Sequence, residues 1–320
     1  MILAGDVGGT KTNVAFYDVQ GGKLVRVDEK RYASGEHAGL EEIVADYIKM
    51  TKLPVTAAAF GIAGPVVNNR VHATNLPWIV DGAVMASRLG LKRVRLLNDL
   101  ESWGYGISVI EPEDVATLHD GVPAPEVNSV VIAAGTGMGQ CVLFWDGSAH
   151  VPMATEAGHA DFAPHTVQQA ELWKFMRAHF EFVSVELLLS GRGFRYVHEF
   201  LNAGVKHPGF DDPNADVAPE ITKAALAKTC PTCVDTLSLW VEMYGSEAGN
   251  LALRAVARGG IYIAGGIALK ILPKMKDGCF VKAVREKEKL GDFLAQIPVH
   301  VVLNEECPLR GSAYVAWKGL

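Results

Sequence analysis

The sequence predicts an α/β protein with mixed strand pairing, assembled from a duplicated unit. In the first third of the chain, short apolar runs alternate with amphipathic stretches, a pattern typical of strands separated by helices. An apolar strand, a turn rich in Gly and Thr, and a second apolar strand occur in this order twice, from Met1 and again from Val130, which indicates duplication. The 320 residues, 49% of them hydrophobic, suffice for two domains with sizeable cores.

The individual elements are predicted from the spacing of the apolar residues. Strands are predicted over residues 2–5, 12–17, 57–60 and 93–97, and a helix over 40–50. The second half is richer in helix, with helices predicted over 168–180, 185–189, 194–202, 220–227 and 233–258. A cluster of Gly, Pro and Asp predicts an exposed loop over 205–219.

Composition and charge argue against several classes of protein. The formal net charge is -6 and the Lys and Arg residues are scattered, so we expect no nucleic-acid partner. No apolar stretch reaches the roughly 18 residues of a membrane helix, and Asp6 falls where a signal peptide is apolar, so we expect a cytoplasmic protein. Five irregularly spaced cysteines form no disulfide framework, and Cys230 and Cys233 are interpreted as two thiols near a helix start rather than a metal site.

Both glycine-rich turns are predicted to be hairpins rather than phosphate loops of the Walker type. The stretch GDVGGTKT, from Gly5, has Thr10 where that motif requires its second glycine. The second stretch, GTGMG from Gly135, does not match a dinucleotide fingerprint. Each is followed by a β-branched or aromatic run, whereas a phosphate loop leads into a helix.

A glycine-rich hairpin can nevertheless bind phosphate, because its backbone N–H groups are accessible to oxygen atoms. Thr10, Thr12 and Thr136 would add hydroxyl groups. Asp6 suits an anion site only if a cation intervenes, so it is interpreted as a residue that binds Mg²⁺ through water ligands. Lys11 fits a phosphate contact and a solvated turn residue equally well. A single glycine-rich hairpin is more typical of an ordinary tight turn, but two of them in one chain indicate phosphate binding.

A third glycine pair follows a predicted strand and precedes a predicted helix. In GGIYIAGGIALKIL, the strand delivers Gly265 and Gly266 to the start of the helix. Without side chains at these positions, a flat ring and a ribose can lie against the backbone. The pair is therefore a candidate nucleoside site, although the signal is weak by itself.

Asp99 is the candidate general base for transfer of a group to an alcohol. It follows a predicted strand and opens a helix, and ligands of α/β proteins bind at the carboxyl ends of strands. The same residues also fit a helix capping box, with Asn98 as the cap and Glu101 as its partner. Spacing alone does not decide between these two interpretations.

Seven motifs in order give the chain a family resemblance. DxGGTKT, NLPW, LLNDL, GTGMG, EAGHADFAP, VSVELLLSG and GNLAL…IYIAGGI closely resemble the bacterial-type glucokinases of the sugar kinase, heat-shock protein and actin superfamily. The resemblance implies a two-lobed, duplicated actin-like (ribonuclease H-like) ATPase fold with an interlobe cleft. It also implies ATP with Mg²⁺ as cofactors and phosphorylation of glucose at its 6-hydroxyl. We expect a small domain of 1–108 plus 301–320, a large domain of 109–300, and a homodimer as a possible assembly.

The resemblance also assigns roles to residues of this sequence. It makes Asp99 the general base and Asn98 a ligand of a sugar hydroxyl, and it places Asn75 in the sugar pocket with Trp78 packed beneath. Further sugar ligands would be Glu156, His159 and Glu186. The nucleotide and its metal ion would be bound by Asp6, Gly8, Gly9, Thr10, Lys11, Gly135, Thr136, Gly137, Gly265 and Gly266.

Three other functions remain as alternatives. An actin-like or chaperone ATPase would lack the acid that accepts a proton from an alcohol. A sugar-sensing regulator would need a DNA-binding segment before the first strand, which is predicted to begin at Ile2. A kinase for another hexose or an N-acetylhexosamine would differ in the size of its pocket, which the sequence does not measure.

Overall fold

A computed structural model describes residues 1–202, 212 and 215–320. The chain divides into two compact units. The first unit comprises Met1–Pro112, His150–Ala154 and Asn304–Leu320. The second unit comprises Glu113–Ala149 and Thr155–Leu303.

The strands and helices are numbered in chain order. The strands β1 to β14 are Ile2–Val7, Lys11–Gln20, Lys23–Ala33, Ala57–Ile62, Val66–Val67, Arg70–His72, Ile79–Asp81, Arg95–Asn98, Val115–His119, Ser129–Ala134, Met138–Trp145, His150–Thr155, Ile261–Ala264 and Val299–Val302. The helices α1 to α12 are Leu40–Thr51, Gly82–Leu89, Asp99–Ile107, Val167–Arg177, Val185–Leu188, Gly191–Leu201, Ala218–Leu226, Pro231–Ala255, Gly266–Met275, Cys279–Arg285, Gly291–Leu294 and Cys307–Lys318.

The first unit is built on a five-stranded sheet of mixed pairing, in the order β3-β2-β1-β4-β8. β1 and β2 form an antiparallel hairpin, whereas β1, β4 and β8 are parallel. The register places Val7, Ile62 and Asn98 side by side at the carboxyl ends of these parallel strands. The segments that follow these three residues, including α3 after Asn98, therefore begin at the same edge of the sheet.

The last helix of the chain completes the first unit. α12 packs closely on α3 because glycines stand at the contact: a Cβ at Gly311 would lie 1.9 Å from the carbonyl oxygen of Ser102. A Cβ at Gly106 would lie 2.2 Å from the carbonyl oxygen of Cys307. Ser312 adds hydrogen bonds from its hydroxyl to the Gly5 carbonyl (3.1 Å) and to Ser102 Oγ (3.3 Å). The carboxyl-terminal helix is thus fitted to the sheet that carries the first hairpin.

The second unit repeats the strand arrangement of the first. β10 and β11 form an antiparallel hairpin, and β10, β13 and β14 are parallel neighbours in that order. The 25-residue helix α8 supplies much of its core, where the buried ring of Trp240 stacks on Phe194 with 4.6 Å between centroids. An α/β fold with mixed sheets and a duplicated hairpin-plus-parallel-strand pattern is therefore confirmed.

The predicted elements are present, with shifted ends. The charged strand β3 was not predicted because its alternation is polar on both faces, yet it pairs with β2 along its whole length. Residues 218–219 of the predicted loop belong to α7, and most of the remainder of 205–219 lies outside the described residues. Among the helices that the structure describes, none combines the length and apolar character needed to cross a bilayer.

Candidate active site

The first glycine turn is a hairpin turn held by one buried serine. The Gly8 N–H donates to the Lys11 carbonyl at 3.0 Å, which closes the turn between β1 and β2. Ser34, the residue after β3, is fully buried. Its hydroxyl donates to the Gly8 carbonyl at 2.8 Å and lies 2.9 Å from Thr12 Oγ1. Its N–H donates to the Thr10 carbonyl at 3.1 Å. These bonds occupy the carbonyls on one side of the turn.

The second glycine of this turn is required by a close contact with a predicted sugar ligand. A Cβ at Gly9 would lie 2.6 Å from Asn75 Cβ, so the backbone of the turn rests directly on the Asn75 side chain. Asn75 is otherwise exposed, and Trp78 packs beneath the segment, with its Nε1–H donating to the His37 carbonyl at 3.2 Å. The structure therefore brings the predicted phosphate turn and Asn75 together, and it buries Trp78 as expected.

Asp6 precedes the same turn and lies partly buried in β1, paired with Asn13 of β2. Burial raises the pKa of the Asp6 carboxyl from 3.8 to about 6, although the positive charge of Lys11 and a hydrogen bond from Asn13 lower it. Lys11 is exposed. A carboxylate that is costly to ionise is suited to a position near a cation.

Asn98 and Asp99 begin α3 and form the capping box that the sequence allows. Asn98 Oδ1 accepts from the Leu100 N–H at 2.9 Å, and Glu101 Oε2 accepts from the Asn98 N–H at 2.8 Å. Asn98 is buried, and its Nδ2 donates to the Gly64 carbonyl at 3.1 Å, which ties down the turn after β4. Asn98 therefore acts as a helix cap in this structure, and its side-chain amide already makes hydrogen bonds with Leu100 and Gly64.

Asp99 is the first residue of α3 and is only partly buried. It follows Asn98, which lies two strands away from Val7 in register. With neighbouring strands about 4.8 Å apart, Asp99 and the hairpin after Val7 begin roughly 10 Å from each other at one sheet edge. The capping box and a catalytic role are thus compatible, since the cap is Asn98 and not Asp99.

The second glycine turn is held by the carboxylate of Glu186. The Gly135 N–H donates to the Gly137 carbonyl at 2.9 Å, and the Gly191 N–H at the start of α6 donates to the Gly135 carbonyl at 2.9 Å. Glu186 Oε2 accepts from the Met138 N–H at 2.9 Å, and a Cβ at Gly137 would lie 2.5 Å from that same oxygen. Gly137 is therefore needed for the approach of Glu186, whereas a Cβ at Gly135 would meet nothing within 4 Å.

Glu156 and His159 lie on a short turn that packs on the same hairpin. A Cβ at Gly158 would lie 2.0 Å from the Met138 carbonyl oxygen, which fixes the turn against the first residue of β11. The Glu156 and His159 side chains are both exposed, with 4.0 Å between Oε2 and Nε2. The N–H of Val185 donates to the Ala160 carbonyl at 2.9 Å. The structure thus gathers the three predicted sugar ligands of the second unit around Met138.

The third glycine pair lies beside the second hairpin. Gly265 has a φ of +87°, and a Cβ there would lie 2.4 Å from the carbonyl oxygen of Ala134, the last residue of β10. Gly266 begins α9 with no atom within 4 Å of a Cβ position. Only glycine satisfies both the backbone conformation and the close approach at Gly265.

A cavity of about 590 Å³ opens next to these glycines and lies wholly within the second unit. Its wall includes the predicted residues Gly135, Thr136 and Gly266. Its volume is within the range of small-molecule sites. The weak nucleoside signal of the third glycine pair therefore coincides with a cavity beside the second predicted phosphate turn.

Three basic residues line this cavity, Arg192, Arg195 and Lys270, and none of them was predicted. Arg192 follows the Gly191 that contacts the second hairpin, and its Nη2 lies 3.9 Å from Glu186 Oε1. Lys270 lies one helical turn after Gly266, on the same face of α9. The i, i+4 spacing of Gly266 and Lys270 could have indicated Lys270. Ser34 carried no local signal, since its role depends on the pairing of β2 with β3.

The chain was compared with known proteins. A family model described as Glucokinase matches residues 3–318. A glucokinase of Nostoc sp. is 35% identical over 337 residues, covering 99% of this chain and 98% of the relative. The crystal structure of a glucokinase from an Antarctic psychrotroph superposes with a TM-score of 0.87 at 25% identity, covering 99% and 98% of the two chains.

A more distant structure shares the fold. The ROK family glucokinase from Streptomyces griseus, solved in complex with glucose and AMPPNP, has a TM-score of 0.69 at 20% identity and covers 99% of each chain. The family match extends over almost the whole sequence, and the Nostoc relative aligns along nearly its full length. The chain belongs to the glucokinase family.

Proposed function

We propose that this protein phosphorylates glucose at the 6-hydroxyl with ATP as the donor and Asp99 as the general base. Family membership and the glucokinase relatives support the reaction. The assignment of Asp99 as the base rests on the arrangement of residues at the sheet edge of the first unit. There Asp99 and the Gly8–Lys11 turn follow β8 and β1, two strands apart in register.

Asp99 would accept the proton of the 6-hydroxyl as that oxygen attacks the terminal phosphoryl group. Its position in the first turn of α3 stabilises the carboxylate, because unpaired backbone N–H groups at a helix start favour negative charge. The Asn98 cap and the Glu101 bond fix the first turn, so the carboxylate is held in place before the sugar binds. The same local structure therefore holds the proposed base in position.

The sugar would be bound by hydrogen bonds to its hydroxyl groups. Glu156 and His159 are exposed and 4.0 Å apart, a spacing that allows each to contact a neighbouring hydroxyl. Glu186 has one oxygen on the Met138 N–H and presents a second carboxylate oxygen. Asn75 and Asn98 are the remaining proposed ligands of sugar hydroxyls.

The nucleotide would bind through backbone groups of the glycine turns. The turns formed by Gly8, Gly9, Thr10 and Lys11 and by Gly135, Thr136 and Gly137 would contact phosphate oxygens. Gly266 lines the 590 Å³ cavity and Gly265 is its neighbour in the chain. This cavity would hold the base and the ribose. Arg192 and Lys270 add positive charge to that wall.

Mg²⁺ fits the residues of the first hairpin. Asp6 is a partly buried carboxylate whose pKa is raised by burial, so a nearby cation would favour its ionised form. The described residues contain no cluster of three or more His, Cys, Asp or Glu side chains able to hold a metal ion. Mg²⁺ would therefore rely on the phosphates and on water, with Asp6 holding the water ligands. When bound, it neutralises phosphate charge.

We further propose domains of 1–108 plus 301–320 and of 109–300, a cytoplasmic location, and a homodimer as the assembly. Small molecules, rather than nucleic acid or membrane, are the proposed partners. The scattered Lys and Arg residues in a chain of net charge -6 support this choice.

The test is a coupled turnover assay with a panel of hexoses, N-acetylhexosamines and phosphoryl donors. We expect glucose and ATP to give the highest kcat/KM. We also expect 6-deoxyglucose to inhibit competitively without turnover, because it keeps the hydroxyls that bind and lacks the one that reacts. A preference for another sugar would replace the substrate assignment, and sugar binding without any phosphorylation would favour a regulator.

A further inference from the structure

A second cavity of the second unit lies apart from every residue assigned above. It measures about 480 Å³, is open to solvent, and lies where the end of β9, the end of α9 and the helix α10 meet. Its wall is formed in part by His119, Lys276, Lys282 and Arg285. This volume is within the range of sites for small molecules.

The charge of this wall contrasts with that of the whole protein. The chain carries a formal net charge of -6, yet the cavity wall has three Lys or Arg side chains and a single acid, Glu286. Glu286 lies 3.5 Å from the Lys282 ammonium, and both side chains are well exposed, so this ion pair is weak and easily exchanged for another anion. A concave surface of one charge sign concentrates ligands of the opposite sign.

Arg285 is held in position and keeps an unused donor. Its Nη2 lies 2.8 Å from His119 Nδ1 and 2.7 Å from His119 Nε2, and His119 Nε2 is in turn 2.8 Å from the Ala295 carbonyl oxygen. The Nε of Arg285 is shielded from solvent and has no hydrogen-bond partner among the residues the structure describes. Because this nitrogen is out of reach from the cavity, a bound anion would contact the guanidinium group through its outer Nη atoms.

From these observations we propose that this cavity binds a small multivalent anion of the phosphate type. Lys276 and Lys282 provide mobile ammonium groups and Arg285 provides an oriented planar donor set, which together suit phosphate oxygens. α9 connects the two cavities of this unit, since Gly266 and Lys270 line the first and Met275, at its other end, lines the second. A bound anion would therefore contact the end of the helix whose start adjoins the nucleotide glycines.

Calorimetric titration with inorganic pyrophosphate tests the proposal, using the full chain in metal-free buffer with saturating glucose and AMPPNP. The variant Lys276→Gln/Lys282→Gln removes two exposed charges, so it should fold. The control variant Lys174→Gln/Lys289→Gln removes the same charge from exposed positions outside this cavity. We expect one pyrophosphate per chain, a dissociation constant at least about tenfold weaker in the first variant and unchanged in the control, and weaker binding as salt increases.

Three results would overturn the proposal. These are no binding while AMPPNP is present, equal affinity in the two double variants, and an unchanged affinity in Arg285→Gln. Binding that disappears when AMPPNP is added would mean that pyrophosphate occupies the nucleotide site. Because turnover of glucose with ATP is measured separately in the coupled assay, a failure of the proposed kinase function would be seen independently of this result.

Discussion

A single buried serine holds the first glycine turn, which is proposed to bind phosphate, in its hairpin shape. Ser34 bonds to the Gly8 carbonyl, to Thr12 Oγ1 and, through its N–H, to the Thr10 carbonyl. These bonds draw carbonyl oxygens away from the tip of the turn, where their negative charge would repel phosphate. Ser34 is therefore a positioning residue for the proposed nucleotide site.

Ser34→Ala should raise the KM for ATP by about 3- to 10-fold and leave the KM for glucose within about twofold, because the turn loses two hydrogen bonds on one side. Initial rates measured over a matrix of both substrates check this split. Ser148→Ala, which removes an exposed serine hydroxyl from a turn of the second unit, is the control. An unchanged KM for ATP in folded Ser34→Ala protein would show that Ser34 only stabilises the fold.

Asp6 should make the stability of the ligand-free protein depend on pH. Its pKa rises from 3.8 to about 6 on burial, so the folded state binds this proton more tightly than the unfolded state. Stability from this residue is fully present below pH 4 and is lost as pH rises to about 6, by up to about 3 kcal/mol. In urea unfolding, the free energy of unfolding of Asp6→Asn should therefore rise relative to that of the native protein between pH 4 and pH 6. Above pH 6 the difference between the two proteins should stay constant.

Asp18→Asn, on the neighbouring strand, is the control for removal of a carboxylate from the same hairpin. Parallel stability curves for the native protein and Asp6→Asn from pH 4 to pH 7 would contradict the effect of burial on Asp6.

At the level of elements, the glycines of the site differ in what they do. Gly9, Gly137 and Gly265 each allow another group to approach the backbone, whereas Gly135 and Gly266 have open space at the Cβ position. The sequence shows five similar glycines in turns. Only the packing of Asn75, Glu186 and Ala134 shows which of them need to be glycine.

Gly265→Ala should destabilise the protein by at least about 2 kcal/mol, since a side chain would be strained at φ +87° and would contact the Ala134 carbonyl. Gly266→Ala, one residue later, should change stability by less than about 1 kcal/mol because it begins a helix in open space. Chemical unfolding of both variants checks the difference. Equal stability of the two would mean that the backbone at Gly265 adopts another conformation in solution.

The sequence predicted the elements of the site better than the contacts among them. The hairpins, the strand before Asp99 and the Asn98 cap follow from local patterns of apolar and capping residues. Ser34 was missed because its partners Gly8 and Thr12 are distant in sequence. Arg192 was missed because the turn at Gly135 and Thr136, with which it lines the cavity, is distant in sequence. Long-range contacts of this kind depend on strand pairing and helix packing, which no local pattern encodes.

For the whole molecule, the path of the chain is the distinctive feature. The chain leaves the first unit after Pro112, and its last segment, Asn304–Leu320, belongs to that unit again. α12 is largely buried through Leu309, Ala313 and Val315, and it packs on α3 and β1. The first unit is thus completed only after the segment Asn304–Leu320 has been synthesised.

Truncation after Val302 should therefore prevent stable folding of the first unit, seen as rapid proteolysis within residues 1–112 and loss of turnover. Deletion of Gly319 and Leu320 is the control, because both are exposed. Gly311→Ala should destabilise the first unit to a smaller degree, because its Cβ would lie 1.9 Å from the Ser102 carbonyl oxygen. Native protease resistance of residues 1–112 in the truncated chain would contradict this account of α12.

Asp99 is proposed to accept the proton of the glucose 6-hydroxyl, and the turnover of Asp99→Asn is the sharpest test of that role. Glu101→Gln, which alters the same capping box without removing the base, is the matched control. We expect kcat to fall by about 10² to 10⁴ in Asp99→Asn, with glucose and ATP dissociation constants within about threefold of the native values. Turnover close to that of the native enzyme would contradict the claim.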